Sequence, residues 1–259
     1  MDLGIAGRTA IVCASSKGLG RACAEALAAE GVRVVINGRD RDRLEATAAA
    51  IRAATGAEIV AVPGDVATRE GQDALLAAAP SPDILVNNNA GPPRKDFREL
   101  DRDAMLKGVV ANMVTPIELI QRVIDGMAER GFGRIVNITS SSVKAPIVGL
   151  DLSSGARAGL TAFLAGVART VADRNVTVNN ILPGMFDTDR LRGGFPVEAK
   201  LSGRTEHEVA AERMARVPAK RFGTPQEFGQ LCAFLCSAQA GYVTGQNILI
   251  DGGNFPAAF

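Results

Sequence analysis

The run Cys13-Ala14-Ser15-Ser16-Lys17-Gly18-Leu19-Gly20 leads straight into Arg21-Ala22-Cys23-Ala24. A short apolar stretch precedes it, so the order is strand, glycine-bearing turn, helix. Such a turn suits a phosphate: glycines let the backbone approach a pyrophosphate, and the helix start offers free amides and a partial positive charge. A tight strand-to-helix connection that binds nothing is the plainer alternative. The next apolar stretch ends Asn37-Gly38-Arg39. An acidic residue there would hold the ribose hydroxyls of NAD, whereas Arg39, helped by Lys17, suits the 2′-phosphate of NADP. NADP(H) is therefore the expected cofactor and NAD(H) the weaker candidate. The competing reading makes Arg39 a surface cation paired with Asp40 or Asp42.

A second group of reactive side chains lies further along: Lys144, Asp151, Ser153 and Arg157. Arg157 supplies a fixed positive charge and hydrogen bonds, but it stays protonated and cannot pass a proton on. Ser153 offers a hydroxyl far less acidic than a phenol. Lys144 is the candidate proton donor if desolvation and Arg157 lower its pKa, and otherwise a solvated lysine. Together Lys144 and Arg157 would form a cationic pocket able to stabilise an enolate or oxyanion. Asp151 reads as a helix-start acid in preference to a base. His207, the single histidine, stands between Glu206 and Glu208 and reads as an exposed helix residue.

Short Val/Ile-rich runs at 9–13, 33–37, 58–62, 84–87, 134–139, 177–182 and 247–250 alternate with longer Ala-rich amphipathic segments. That pattern predicts an α/β fold, a single Rossmann-type doubly wound domain with a seven-stranded parallel sheet and helices on both faces. Residues 190–222 are polar, punctuated by Gly and Pro and only partly helical in pattern, which suggests a substrate lid. The chain has 259 residues, 47% of them hydrophobic, so a sizeable core is available. With 29 basic against 28 acidic residues, nothing predicts attraction to nucleic acid or to an anionic membrane. A small-molecule substrate is the expected partner. No charged leader or long apolar run is read near the start, so the expected compartment is cytoplasmic. The four cysteines, at 13, 23, 232 and 236, show no C-x-x-C spacing and read as buried free thiols; no metal site is expected.

Several motifs then follow in a fixed order. Gly64-Asp65-Val66 comes after the third run, and Asn87-Asn88-Asn89-Ala90-Gly91 closes the fourth. Asn112 precedes the fifth, which ends Asn137-Ile138-Thr139-Ser140. Pro183-Gly184 and Thr188 follow the sixth, and Tyr242-Val243-Thr244-Gly245-Gln246 with Asp251-Gly252-Gly253 flank the seventh. In this order the whole chain resembles the short-chain dehydrogenase/reductase family, similar in layout to its 3-oxoacyl carrier-protein reductases.

The resemblance implies roles. Ala14, Ser16, Lys17, Gly18, Leu19 and Gly20 would form the cofactor turn, with Ala14 where the family has its first glycine. The Asp65 carboxylate, next to Val66, would meet the adenine amino group. Asn88 and Asn89 would border the cofactor, the extra asparagine leaving the register open by one residue. Asn112 would hold a water in a proton relay and Ser140 would hydrogen-bond the substrate oxygen. Pro183, Gly184 and Thr188 would contact the nicotinamide side. The C-terminal signature implies a homotetramer, and a hetero-oligomer with a catalytic subunit of the same family is the alternative.

Counting on from Ser140, the family's Tyr-x-x-x-Lys falls on Ser153 and Arg157. The only tyrosine is Tyr242, too distant for a register shift to restore the phenol. Three readings follow. One is a divergent NADP(H)-dependent oxidoreductase that reduces a carbonyl or oxidises an alcohol. The second is a non-redox lyase or hydrolase, for example of retro-aldol type. The third is a catalytically silent subunit that binds nucleotide or a partner chain, or that has lost the cofactor site altogether.

Overall fold

The computed structural model describes residues 2–258. Seven parallel strands carry the expected Val/Ile runs: β1 (Thr9–Val12), β2 (Arg33–Gly38), β3 (Ile59–Pro63), β4 (Ile84–Asn87), β5 (Gly133–Ile138), β6 (Val176–Pro183) and β7 (Asn247–Ile250). Their order is β3-β2-β1-β4-β5-β6-β7. Chain order reverses between β1 and β4, which opens a crevice at the carboxyl ends of those two strands.

Neighbouring residues on each strand serve opposite faces, the period-two rule of a pleated sheet. Ala10 and Val12 of β1, and Val34 and Ile36 of β2, pack into one core, while Ile11, Cys13 and Val35 pack into the other. The first core is covered by α1 (Gly18–Ala29), α2 (Arg41–Thr55) and α10 (Pro225–Cys236). The second is covered by α3 (Arg69–Ala78), α5 (Thr115–Glu129) and α6 (Asp151–Val171). Because both faces are buried, the strands read as continuous apolar runs.

Between β4 and β5 the chain forms α4 (Arg102–Val109), a π-helical turn (Val110–Val114) and α5 in unbroken succession. A π-helical turn bulges one residue out of helical register and often marks a functional position. Here it carries Asn112.

The polar stretch after β6 is more regular than its sequence pattern suggests. It contains α7 (Asp189–Arg192), α8 (Phe195–Ser202) and α9 (Glu206–Arg216). Phe195, Ala199 and Val209 form a small core of their own, with Leu191 and Phe222 against it. Thr205 and Glu208 close a reciprocal capping box at the start of α9. Among the described residues no helix is long and apolar enough to cross a membrane. All four cysteines are buried and free. Burial pushes the Cys13 thiol up to about 12, so it does not act as a nucleophile near neutral pH.

Candidate functional site

The turn after β1 is held as a rigid unit. The Ser15 hydroxyl donates to Val12 O at 2.7 Å and accepts from the Asn37 amide at 3.0 Å. Thr47 Oγ1 donates to Ser16 O at 2.9 Å. Ala14 has φ +44° and Gly18 +60°. An alanine in the left-handed region carries strain of about 1–2 kcal/mol that glycine would not. At Gly20 a side chain is barred outright, since a Cβ would lie 2.6 Å from Ala14 O and 2.8 Å from Asn88 Nδ2. The turn thus keeps the open backbone that a pyrophosphate needs. The α1 helix begins there with no side-chain cap and no acidic residue in its first turn, so its leading amides and dipole are free for an anion.

Beside the turn, Arg39 is exposed and, among the described residues, makes no ion pair. Asp40 caps α2 through the Arg43 amide at 3.1 Å and pairs with the Arg43 side chain, so of the two alternative partners, Asp40 and Asp42, the first is already committed. Lys17 is exposed and stands 3.7 Å from Asp189. Asp65 accepts from the Ala67 amide through one carboxylate oxygen at 2.9 Å, and Val66 is buried next to it. An anionic dinucleotide fits this set: an open turn, a free helix start and an unpaired guanidinium at the end of β2.

The triple asparagine resolves by position. Asn87 ends β4 and donates to Asn137 Oδ1 on β5 at 2.9 Å. Asn88 donates to Ala14 O at 3.1 Å, tying β4 to the turn. Asn89 reaches the other way, to Ala111 O in the π-helical turn, at 3.2 Å. Each of the three thus ties the end of β4 to a different neighbour: β5, the glycine turn and the π-helical turn.

Ser153 and Arg157 face one another across the first turns of α6. Both are buried, and Arg157 Nε donates to Ser153 Oγ at 3.2 Å. Arg157 also donates to Ile138 O at 2.7 Å and to Asn89 O at 3.4 Å. No carboxylate pairs with it among the described residues. Burial, and after it the charge of Arg190, pushes its pKa down to about 10, so the guanidinium still holds its proton at neutral pH. Gly91 is the meeting point. A Cβ there would lie 3.0 Å from Arg190 Nη2, 3.4 Å from Ser153 Oγ and 3.6 Å from Arg157 Nη2. Arg190 comes from α7, and its sequence position gave no signal beyond that of one basic residue among several in its segment.

Asn112 is buried, with Nδ2 facing Gly108 O at 3.4 Å and Oδ1 without a partner. Thr115 Oγ1 is likewise buried and unpartnered. Both residues line a cavity of about 20 Å³, together with Asn89, Asn137 and Arg157. That is room for one water, and polar partners for it are present. A second cavity of about 290 Å³ adjoins Asn112 and Gly91, lined by Pro92, Pro93, Leu100, Ala104 and Leu152 among others.

Ser140 is partly buried at the end of β5, its hydroxyl accepting from the Ser142 amide at 3.1 Å. Pro183 ends β6, and a Cβ on Gly184 would lie 2.6 Å from Asp251 Cβ, so the chain must pass there as glycine. Thr188 caps α7 and lies across from Gly18, whose Cβ would be 3.9 Å from Thr188 Cγ2. Lys144 does not have the desolvated position expected of it. Residues 144–148 run exposed over the surface, and its ammonium sits 5.4 Å from the Phe255 ring centroid. Asp151 accepts from the Gly149 amide in the first turn of α6, and His207 is exposed in α9.

The chain is similar to known proteins over nearly its full length. A family model described as enoyl-(acyl carrier protein) reductase matches residues 13–254. Acetoacetyl-CoA reductase from Cupriavidus necator is 32% identical across 95% of this chain and 97% of that protein. The 3-oxoacyl-[acyl-carrier-protein] reductase of Aquifex aeolicus is also 32% identical, across 98% of this chain and 100% of that protein. The crystal structure of L-sorbose reductase from Gluconobacter frateurii, complexed with NADPH and L-sorbose, superposes with a TM-score of 0.94 at 30% identity, covering 99% of this chain and 100% of that one. With a family match over residues 13–254 and relatives of 32% identity over nearly the whole chain, the chain belongs to the short-chain dehydrogenase/reductase family of oxidoreductases.

Proposed function

We propose that this protein is an NADP(H)-dependent reductase of a small carbonyl compound, running in reverse as an alcohol dehydrogenase, in which Ser153 and Arg157 replace a phenol–lysine pair. The observation that carries the reading is the buried Arg157–Ser153 contact at 3.2 Å, facing Gly91 with no carboxylate partner. NADPH supplies the hydride when bound. The glycine turn and the start of α1 would receive its pyrophosphate, and Arg39 with Lys17 its 2′-phosphate.

The residues of the chain then have distinct tasks. Ser153 Oγ accepts from Arg157, which leaves its own hydrogen free to point at a substrate oxygen. Ser140, two residues beyond β5, would offer a second hydroxyl. Charge developing on the substrate oxygen would be held by these hydroxyls and by the fixed guanidinium, an oxyanion-stabilising arrangement. Asn112 and Thr115 present oxygens to a water-sized cavity that borders Arg157, which offers a route for the proton that neither Ser153 nor Arg157 can supply by itself. Lys144, on the surface, is assigned no step.

The test needs no substrate. NADPH and NADH are titrated into the protein by fluorescence, alongside Arg39→Glu. Micromolar binding of NADPH, weaker binding of NADH and a loss of about tenfold or more for NADPH in Arg39→Glu are expected, since a charge-assisted phosphate contact is removed. Binding of neither nucleotide would overturn the reading.

A further inference from the structure

Both cavities at this site share an electrostatic feature. Arg157 lines the smaller one, Lys95 and Lys107 line the larger, and Arg190 donates at 3.5 Å to the carbonyl of Gly91, which also lines the larger. No acidic side chain lines either cavity, and among the described residues none of these four cations makes an ion pair. The acids flanking Arg190 in its segment pair with other cations: Asp187 with Arg192 and Asp189 with Lys17. Arg157 spends three of its donors on Ser153 and two carbonyls, and Arg190 has one long contact, so both guanidinium groups keep N–H groups to offer.

We infer that Arg190, with Arg157, forms a carboxylate-binding subsite, so that the substrate is an amphipathic anion with its acidic end at the arginine pair and its apolar part in the cavity beside Gly91. This rests on the reductase reading for the chemistry, though not for the binding. The wall of Pro92, Pro93, Leu100, Ala104 and Leu152 suits an alkyl chain, and a cavity of about 290 Å³ accepts one of several carbons. Arg190 Nη2 and Arg157 Nη2 both lie within 3.6 Å of the Cβ position of Gly91, so the two guanidinium groups converge beside that residue, and planar forks so placed can bind a carboxylate through paired hydrogen bonds. Exposed lysines at the cavity edge would raise the local concentration of anions. The cofactor's 2′-phosphate would have its own cations in Lys17 and Arg39.

The probes are hexanoate and its neutral counterpart hexanamide, titrated calorimetrically into protein saturated with NADP⁺. The wild type is expected to bind hexanoate about tenfold or more tightly than hexanamide. In Arg190→Gln that preference should fall to within about threefold, with hexanamide and NADP⁺ affinities unchanged, and Arg190→Lys should restore part of it. Arg190 is exposed, so these variants do not disturb the core. Equal binding of the two probes by the wild type would overturn the subsite, as would an undiminished preference in Arg190→Gln or loss of hexanoate binding when NADP⁺ is added. Failure of NADP⁺ to bind, with the hexanoate preference intact in the free protein, would instead sink the reductase reading and leave the subsite standing.

Discussion

Replacing Arg157 by methionine separates a structural role from a chemical one. The drop in its pKa to about 10 corresponds to about 3 kcal/mol by which burial disfavours the charged side chain. Methionine removes that penalty and keeps much of the aliphatic packing. It also removes hydrogen bonds to Ser153 Oγ, Ile138 O and Asn89 O, each worth about 1 kcal/mol net. The two effects nearly cancel, so stability should change by no more than about 1–2 kcal/mol. In a domain of this size that is a Tm shift of roughly 2–8 °C in either direction. Turnover should behave differently, falling by about 10²- to 10³-fold, as expected on loss of an oxyanion-stabilising group.

The pH dependence has a definite sign. The folded-state pKa is the depressed one, so the penalty on the charged form is full below about pH 10 and disappears only above the value in the unfolded chain. The stability difference between wild type and Arg157→Met should therefore be flat from pH 6 to 8, with any gain for the wild type confined to alkaline solution. The assay pairs thermal unfolding with NADPH-linked turnover on one preparation. Destabilisation well above 3 kcal/mol would show that Arg157 is held for packing, and full activity in a stable variant would show that it takes no part in the chemistry.

Two other variants test the neighbouring elements. Gly20→Ala places a Cβ against Ala14 O and Asn88 Nδ2, so the turn must open; NADPH binding should be lost, at a stability cost of about 1–3 kcal/mol, and retained affinity would remove the turn from the cofactor site. The pair Ser153→Tyr with Arg157→Lys should raise reduction of neutral ketones, by up to about 10²- to 10⁴-fold if a general acid is all that is missing. Ser153→Tyr alone should not, because the guanidinium lies against Ser153 Oγ where the ring must pass. No gain in the double variant, with NADPH bound and the fold intact, would refute the idea.

The sheet was legible because every strand is buried on both faces. A run such as Val34-Val35-Ile36 sends alternate residues into two cores and so must be apolar throughout, and the expected ends of all seven strands differ from the observed ones by at most a residue. The segment after β6 was harder. Its helices are short, and their common core rests on Phe195, Ala199 and Val209, too few positions to impose a visible period. The capping box at Thr205 and Glu208 was the local signal that could have located α9. The π-helical turn has no compositional mark at all, since it is a matter of hydrogen-bond register and not of residue type.

For the site, local motifs were legible and the contacts between distant elements were not. Ser153 and Arg157 share a helix face by their i, i+4 spacing, so their meeting follows from sequence. Lys144 was placed by its nearness to Ser140 in the chain, but after the short turn at Ser141–Val143 the loop runs out over the surface and takes the amine into solvent. Arg190 reaches the site only because α7 folds back toward Gly91, a contact that depends on the packing of residues nearly a hundred positions apart in the chain.

What remains to be explained is why an ion should lie buried beside Ser153 at all. Packing does not require it, because a methionine or leucine would fill the same space without about 3 kcal/mol of disfavoured charge. Fold specificity does not require it either, since the sheet register is fixed by apolar strands and the asparagine ladder of Asn87 and Asn137. A charge held at such a cost, oriented by three hydrogen bonds, turned toward a second unpaired guanidinium and left without a carboxylate, is poised for negative charge that arrives from outside. Under the reductase reading that charge comes from the substrate, in its acidic group and in the oxyanion that hydride addition creates. On that reading, a serine in place of the phenol and a guanidinium in place of the lysine exchange proton delivery for charge stabilisation, and the protein should favour substrates whose carbonyl oxygen can wait for a proton from water.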